Sequence, residues 1–162
     1  MKIMLKWRIT NDRSRERVLT PEIMLEMIQQ KPPASINVSI KDQEDCVRNF
    51  IERIWNEGIF SEMGQYLHQD FIDHSMPYHH FKNQNGLLFY LQELNRRVRH
   101  HAVIVDLVVI NNFILLDTRI HVTLVQSGNE GEQYSENINA MRLFRMEDGK
   151  IKEHWEFIEE SI

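Results

Sequence analysis

The sequence contains a single cysteine, Cys46, among 162 residues, which excludes an internal disulfide framework and a zinc site built from several cysteines. Glycine and proline are scarce, with six and four residues, and no repeat or low-complexity segment occurs. No apolar stretch approaches the roughly 18 residues that a membrane-spanning helix needs. The basic start also lacks the apolar run of a signal peptide. With 42% hydrophobic residues and a net charge of −5, the chain is predicted to be an ordered, cytoplasmic globular protein without a membrane segment.

The charge is unevenly distributed along the chain. Residues 1–40 hold seven Lys and Arg against four Asp and Glu, whereas the remaining residues hold twelve against twenty. Such an acidic body would repel a nucleic-acid backbone, which proteins bind mainly by neutralising phosphates with Lys and Arg. We therefore expect no nucleic-acid partner, and we interpret the basic head as a solvated surface or a strap over the body.

Residues 1–40 are predicted to form an N-terminal extension with one short helix. Thr20 and Pro21 are typical of a helix start, and Pro32 and Pro33 end the pattern because consecutive prolines cannot continue a helix. An apolar stripe runs along this helix at Ile23, Met24, Met27 and Ile28. A helix of about ten residues is marginal alone in water, so we expect it to dock on the body formed by residues 41–162.

The first half of the body shows helical periodicity. Its most regular apolar stripe follows the spacing i, i+3, i+4, i+7, i+8 at Val47, Phe50, Ile51, Ile54 and Trp55. Asp42 is the predicted N-terminal cap of this helix, and Gly58 is the predicted terminator. A second short helix is predicted from Ser61 and a third over roughly residues 84–98.

The second half shows the two-residue period of strands. After a short extended piece at residues 71–74, strands are predicted over residues 103–110, 113–126, 135–146 and 151–158, with turns between them. Strands grouped after helices and joined by short turns indicate an α+β fold, in which helices pack on one face of an antiparallel sheet.

Two segments resemble a known family. Residues 71–77, FIDHSMP, follow two helices, and residues 143–156, LFRMEDGKIKEHWE, form the closing strand–turn–strand. Both are similar to SnoaL-like members of the nuclear transport factor two-like superfamily, and the resemblance covers roughly residues 42–160. Glu156 stands where the family usually has Asp, and Asn111-Asn112 stand where it usually has a Gly-Asp turn.

The resemblance implies a cone-shaped, strongly curved sheet wrapped around about three helices, a cystatin-like α+β barrel with an apolar pocket. Relatives include polyketide cyclases, ketosteroid isomerases, limonene-epoxide hydrolases and scytalone dehydratases, together with pocket-bearing proteins that have no demonstrated reaction. The family also commonly dimerises through the outer face of the sheet. The fold therefore narrows the function without fixing it.

The resemblance makes His74 and Glu156 the candidate catalytic acid/base pair. An imidazole titrates near neutral pH, and proton abstraction next to a carbonyl needs a base whose pKa burial has raised. His74 has the alternative of a purely structural bond to a backbone carbonyl. Strand alternation by itself favours Glu156 on a solvated face with Trp155 in the core, whereas the resemblance places Glu156 in the pocket. Asp73 is expected to face away from His74, because side chains alternate along an extended segment.

The candidate substrate-binding residues come from the helices and strands that should enclose the pocket. Aromatic side chains at helical spacing often belong to the core instead, and polar side chains that alternate along a strand are often simply solvated. The set is Trp55, Phe71, Tyr90 and Asn139, of which Asn139 would supply an amide donor.

No metal site or cofactor is predicted. The adjacent pairs His79-His80 and His100-His101 lack a carboxylate at a known ligand spacing, and neighbouring side chains in a strand point apart. The sequence contains no G-x-S-x-G nucleophile motif, no phosphate loop and no dinucleotide-binding glycine motif.

Two functions of different classes follow from these observations. The first is a cofactor-independent isomerase, cyclase or hydrolase that uses acid–base chemistry on a hydrophobic, carbonyl-bearing small molecule. The second is a non-catalytic ligand-binding or dimeric adaptor module. The two differ in whether His74 and Glu156 converge on one cavity.

The alternating apolar residues of the uncovered sheet face predict a homodimer. A large apolar patch is rarely left exposed on a monomer, and identical chains commonly pair about a two-fold axis. We expect light scattering to report the mass of a dimer at micromolar concentration. A mass of 19.5 kDa throughout that range would contradict the prediction.

Overall fold

The computed structural model describes residues 25–26, 28–29, 38–125 and 134–158. Residues 25–26 and 28–29 are helical. The Asn111 side-chain amide lies 3.5 Å from the carbonyl oxygen of Ile28, which is partly buried. The other stripe residues predicted in this helix lie outside the described residues, so the division at residue 40 stays a prediction.

Within residues 38–125, three α-helices precede or interrupt the sheet. Helix α1 (Ile40–Asn49) continues as a π-helical segment (Phe50–Asn56), α2 (Met63–Tyr66) follows a 3₁₀ turn (Phe60–Glu62), and α3 is Gln84–Arg97. The cap of α1 is Ser39, whose hydroxyl accepts from the Asp42 amide at 3.0 Å. The expectation that Asp42 is the cap is therefore wrong, because that residue lies in the first turn. Gly58, at φ +70°, stands just after the helix as predicted.

No helix in the described part of the chain is both long and apolar enough to cross a membrane.

In the part of the chain that the structure describes, five strands form one curled sheet that does not close. They are β1 (Leu67–Asp73), β2 (Val98–Ile110), β3 (Phe113–Leu124), β4 (Ser135–Glu147) and β5 (Lys150–Ile158). The order is β1-β5-β4-β3-β2, with β1 parallel to β5 and the other pairs antiparallel. The β4–β5 turn has positive φ at Asp148 and Gly149, which fits a two-residue hairpin. The predicted α+β class and element order are confirmed, although β1 begins at Leu67 rather than near residue 71.

The sheet has an inner face, which packs on the helices, and an outer face. Inner side chains form one hydrophobic core with the helices and include Ile114, Leu116, Phe144, Met146 and Ile151. The outer face of β2 instead exposes Val103, Val108 and Ile110, and Val105 is exposed at a β-bulge between Ile104 and Asp106. The helices α1 and α3 therefore pack on the inner face, as the sequence predicts. The outer face is not uniformly exposed, because its residues Phe113 and Leu143 are also buried.

A β-bulge in β5 decides which of its side chains enter the core. Arg145 pairs with Glu153 but the next residue of β4, Met146, pairs with Ile151, so Lys152 is the extra residue. This insertion places Ile151 on the same face as His154 and Glu156, although strict alternation would separate them. Glu156 is thus on the inner face, and the interpretation that puts it on a solvated face is wrong.

The side chain of Asn56 joins the π-helical segment to the sheet by the pair of hydrogen bonds that a neighbouring strand would make. The Asn56 amide donates to the Ala102 carbonyl at 2.9 Å, and its oxygen accepts from the Ala102 amide at 2.8 Å. Because β2 is an edge strand, this paired bond satisfies two backbone groups that no neighbouring strand reaches.

We expect Asn56→Ala to lower the free energy of unfolding by about 2 kcal/mol, because it leaves both backbone groups of the buried Ala102 without their partner. Chemical denaturation followed by circular dichroism measures the change. The matched control is Asn137→Ala, which removes an exposed asparagine bonded to His121 and should cost about 0.5 kcal/mol or less. Equal losses in the two variants would contradict the assigned role of Asn56.

Candidate functional site

A buried ion pair lies on the inner face where β4 and β5 meet. Arg142 and Glu156 stand directly opposite each other in the ladder, and Arg142 Nε lies 3.1 Å from Glu156 Oε2. Their side chains are 0% and 2% exposed. The guanidinium carbon also sits 4.1 Å from the centre of the Trp55 ring, which comes from the π-helical segment. Removing two charges from water is costly, so a buried ion pair in this mainly apolar core is an unusual feature.

A second buried polar pair lies next to the first. His154 Nδ1 is 2.9 Å from Asp73 Oδ2, and the two side chains are 1% and 0% exposed. The Ser75 amide donates to the other carboxyl oxygen, Asp73 Oδ1, at 2.9 Å, which fixes the orientation of the carboxyl group. The imidazole stacks on Phe144, with 4.7 Å between ring centres. His154 and Glu156 are two residues apart on one strand and share the inner face.

These five side chains form what we call the interior cluster: Trp55, Asp73, Arg142, His154 and Glu156. Two of its buried nitrogen atoms, Trp55 Nε1 and His154 Nε2, have no hydrogen-bond partner among the residues that the structure describes. Buried polar atoms are normally paired, so atoms without a protein partner are candidates for contact with a ligand or a water molecule. The cluster offers a cation, two carboxyl groups, an imidazole and an indole N–H within an apolar surrounding.

The structure does not bring His74 to this cluster. Its ring stacks on Trp155 with 4.6 Å between centres, and Nε2 lies 2.9 Å from Glu153 Oε1. Both contacts lie on the outer face of β5, because Glu153 and Trp155 alternate with the inner residues. His74 and Glu156 therefore do not converge, and the expectation that they act together is wrong as a statement of geometry. Asp73 and His74 do face opposite ways, as alternation predicts.

The other predicted site residues are divided between the two faces. Trp55 belongs to the interior cluster, Phe71 is buried in the core, and Tyr90 on α3 packs partly buried against that core. Asn139 is exposed, because the neighbours that point inward from β4 are Ile138 and Ala140. The structure thus places Asn139 on the outer face, away from the interior cluster.

Three members of the cluster escape sequence reasoning. The sequence predicts for Asp73 only that it faces away from His74. It gives His154 no role beyond its place in the closing motif. Arg142 carries the clearest signal, because it is a lone cation within the apolar run from Met141 to Phe144. A single charge at an inward position of a predicted strand indicates burial only once the phase of that strand is known.

The remaining reactive groups do not form a second site. Burial raises the pKa of the Cys46 thiol to about 11, so at neutral pH it is protonated and a poor nucleophile. Among the described residues, no group of three or more His, Cys, Asp or Glu side chains is arranged to hold a metal ion.

The outer face carries an ion-pair network around Glu153. Burial alone would raise the pKa of this carboxyl, but hydrogen bonds from His74 and the Arg145 guanidinium outweigh it, and the pKa lies below its usual range. A group whose pKa is lowered by folding stabilises the protein above its ordinary pKa, and this contribution is lost as the pH falls through the folded value.

We therefore expect the melting temperature of the wild type to fall more steeply below about pH 5 than that of Glu153→Gln, which lacks the titrating group. Thermal unfolding measured by circular dichroism between neutral and acidic pH tests this. If the melting temperatures of the two proteins fall equally with pH below about pH 5, the network does not contribute to stability.

Solved structures share this fold with low sequence identity. A candidate polyketide cyclase from Bacillus cereus is 24% identical with a TM-score of 0.61, covering 79% of this chain and 85% of its own. An epoxide hydrolase from Mycobacterium tuberculosis that resembles limonene-epoxide hydrolase is 12% identical with a TM-score of 0.60, covering 74% and 84%. A SnoaL-like polyketide cyclase from Agrobacterium tumefaciens is 13% identical with a TM-score of 0.60, covering 72% and 91%.

Sequence comparison gives the family. No curated protein matches the chain. The family model of the SnoaL-like domain matches residues 47–154, which is more than half of the sequence. The match includes Arg142 and His154 and ends two residues before Glu156. Fold, closing motif and family model agree, and the chain belongs to the SnoaL-like domain family.

Proposed function

We propose that this protein is a SnoaL-like small-molecule pocket protein that acts in the cytoplasm as an isomerase, cyclase or hydrolase without a cofactor. Its ligand is a hydrophobic molecule that bears a carbonyl group. The reaction is acid–base chemistry in the interior between α1 and the inner face of the sheet. The observation that supports this proposal is the buried Arg142–Glu156 pair in an apolar core.

The chemistry of the pair suits a carbonyl-bearing ligand. When a proton leaves the carbon next to a carbonyl, negative charge develops on the carbonyl oxygen, and fixed donors directed at that oxygen lower the barrier. Arg142 supplies a guanidinium whose plane is held over the Trp55 ring. Glu156 supplies a carboxylate beside it, with its backbone amide held at 2.5 Å by the Ser75 hydroxyl. Donor and proton acceptor are thus both positioned before a ligand binds.

The outer face supports the proposal of a homodimer. The exposed apolar residues of β2 lie on either side of the exposed Asp106, and neighbouring strands add the partly buried Leu115 and Met141. A second copy of the chain would cover this surface, as the resemblance implies for the family. In that arrangement the interior cluster lies on the opposite side of the sheet from the second copy.

Glu156→Gln tests the proposed reaction. We expect the wild type to catalyse exchange of the α-protons of a tetralone, a compact aromatic ketone, in deuterium oxide. The variant should be at least about 100-fold slower, because the amide cannot accept the proton. Proton NMR follows the exchange, and near-ultraviolet circular dichroism checks that the variant is folded.

The matched control is Glu153→Gln. Glu153 lies on the same strand and is also paired with an arginine of β4, but it faces outward. It should keep the wild-type exchange rate. Equal losses in both variants, or a wild-type protein that binds the ketone without exchanging its protons, would contradict the proposed chemistry.

A further inference from the structure

The interior cluster contains a proton-transfer group that the expected His74–Glu156 pair does not include. Acid–base reactions at a carbonyl commonly need one group that takes a proton and another that gives one. His74 is on the outer face, so it cannot serve Glu156. His154 lies on the inner face two residues before Glu156, and it is the imidazole that the fold places beside that carboxylate.

Asp73 and its surroundings hold His154 in one orientation. One carboxyl oxygen of Asp73 is bonded to the Ser75 amide, and the other lies 2.9 Å from His154 Nδ1. A carboxylate in this position keeps the proton on Nδ1 and stabilises the imidazolium when Nε2 is protonated as well. Stacking on Phe144 restricts the ring further. Nε2 is consequently the atom at which His154 can exchange a proton.

Nε2 is also the atom that the described protein leaves without a hydrogen-bond partner. The side chain is 1% exposed, so bulk water does not replace the missing bond. A histidine that served only to join β1 to β5 would need its bond to Asp73 but would not need an unsatisfied nitrogen directed into the core. Leaving a buried polar atom unpaired destabilises the folded protein, which favours a site where the pairing is completed by a ligand.

We propose that His154, oriented by Asp73, is the second proton-transfer residue of the interior site and contacts the ligand's oxygen through Nε2. The inference rests on the proposed function. Glu156 takes the α-proton, the C–H electron pair forms the new carbon–carbon double bond, and the carbonyl π pair moves to oxygen. That oxygen takes the proton from Nε2 of the imidazolium, and the N–H electron pair returns to the ring. The products are the enol, a protonated Glu156 and a neutral His154 still bonded to Asp73.

His154→Asn is the informative variant, because an asparagine amide can keep the bond to Asp73 while the Nε2 position is lost. We expect a tetralone exchange rate at least about 100-fold below the wild type with little change in the KM for the ketone. Asp73→Asn should also slow exchange, since it removes the charge that stabilises the imidazolium. The control is His68→Asn, which alters a histidine of β1 that also has carboxylate neighbours, and it should leave the rate unchanged.

A second readout does not depend on activity. In protein labelled with ¹⁵N at histidine, the Nε2 resonance of His154 should shift when tetralone is added, whereas that of His68 should not. A folded His154→Asn variant with the wild-type rate, or an unmoved His154 resonance with tetralone bound, would overturn the inference. If only Glu156→Gln slows exchange, the proposed function stands and the inference about His154 fails. If the wild type does not exchange the protons, the proposed function fails and the resonance alone decides whether His154 contacts the ketone.

Discussion

The extra residue that β5 inserts opposite β4 determines which charged side chains enter the core. Without the bulge at Lys152, the strand would keep one phase, and Ile151 could not share a face with His154 and Glu156. With the bulge, Ile151 packs on the inner face beside Met146 and Phe144. His154 and Glu156 then lie on that same inner face. The buried ion pair and the buried histidine are consequences of this one insertion.

The two faces of β5 carry nearly the same chemistry in different surroundings. Each has an arginine of β4 paired with a glutamate of β5, and each has a histidine that contacts a carboxyl group and stacks on an aromatic ring. On the outer face, the groups are partly exposed and water screens their charges. On the inner face, the lower effective dielectric makes each unpaired group costly and each interaction stronger. This difference, rather than residue type, is why the inner set is the candidate site.

Local sequence patterns were sufficient for the fold and insufficient for the site. Three patterns depend on neighbours along the chain: the helical stripe from Val47 to Trp55, the turn at Asp148 and Gly149, and the alternation in β3. All three agree with the structure, although most of the stripe is π-helical rather than α-helical. The phase of β5 depends on a bulge that is defined only by pairing with β4, so alternation could not assign Glu156 to a face. Asn139 is misplaced for the same reason. The sequence alone does not say which of the alternating residues of β4 point inward, and the structure shows that Ile138 and Ala140 do.

The π-helical segment completes the site from the helical side. Its wider turn, marked by the bond from the Glu57 amide to the Glu52 carbonyl at 2.9 Å, changes the direction of the side chains that follow. Asn56 can then pair with the edge strand β2 while its neighbour Trp55 lies against Arg142 of β4. One short segment therefore spans the inner face from its edge to the buried ion pair. The bonds to β2 and the ring contact with Arg142 come from adjacent residues, so the position of the indole against the ion pair depends on the same segment that is bonded to the edge strand.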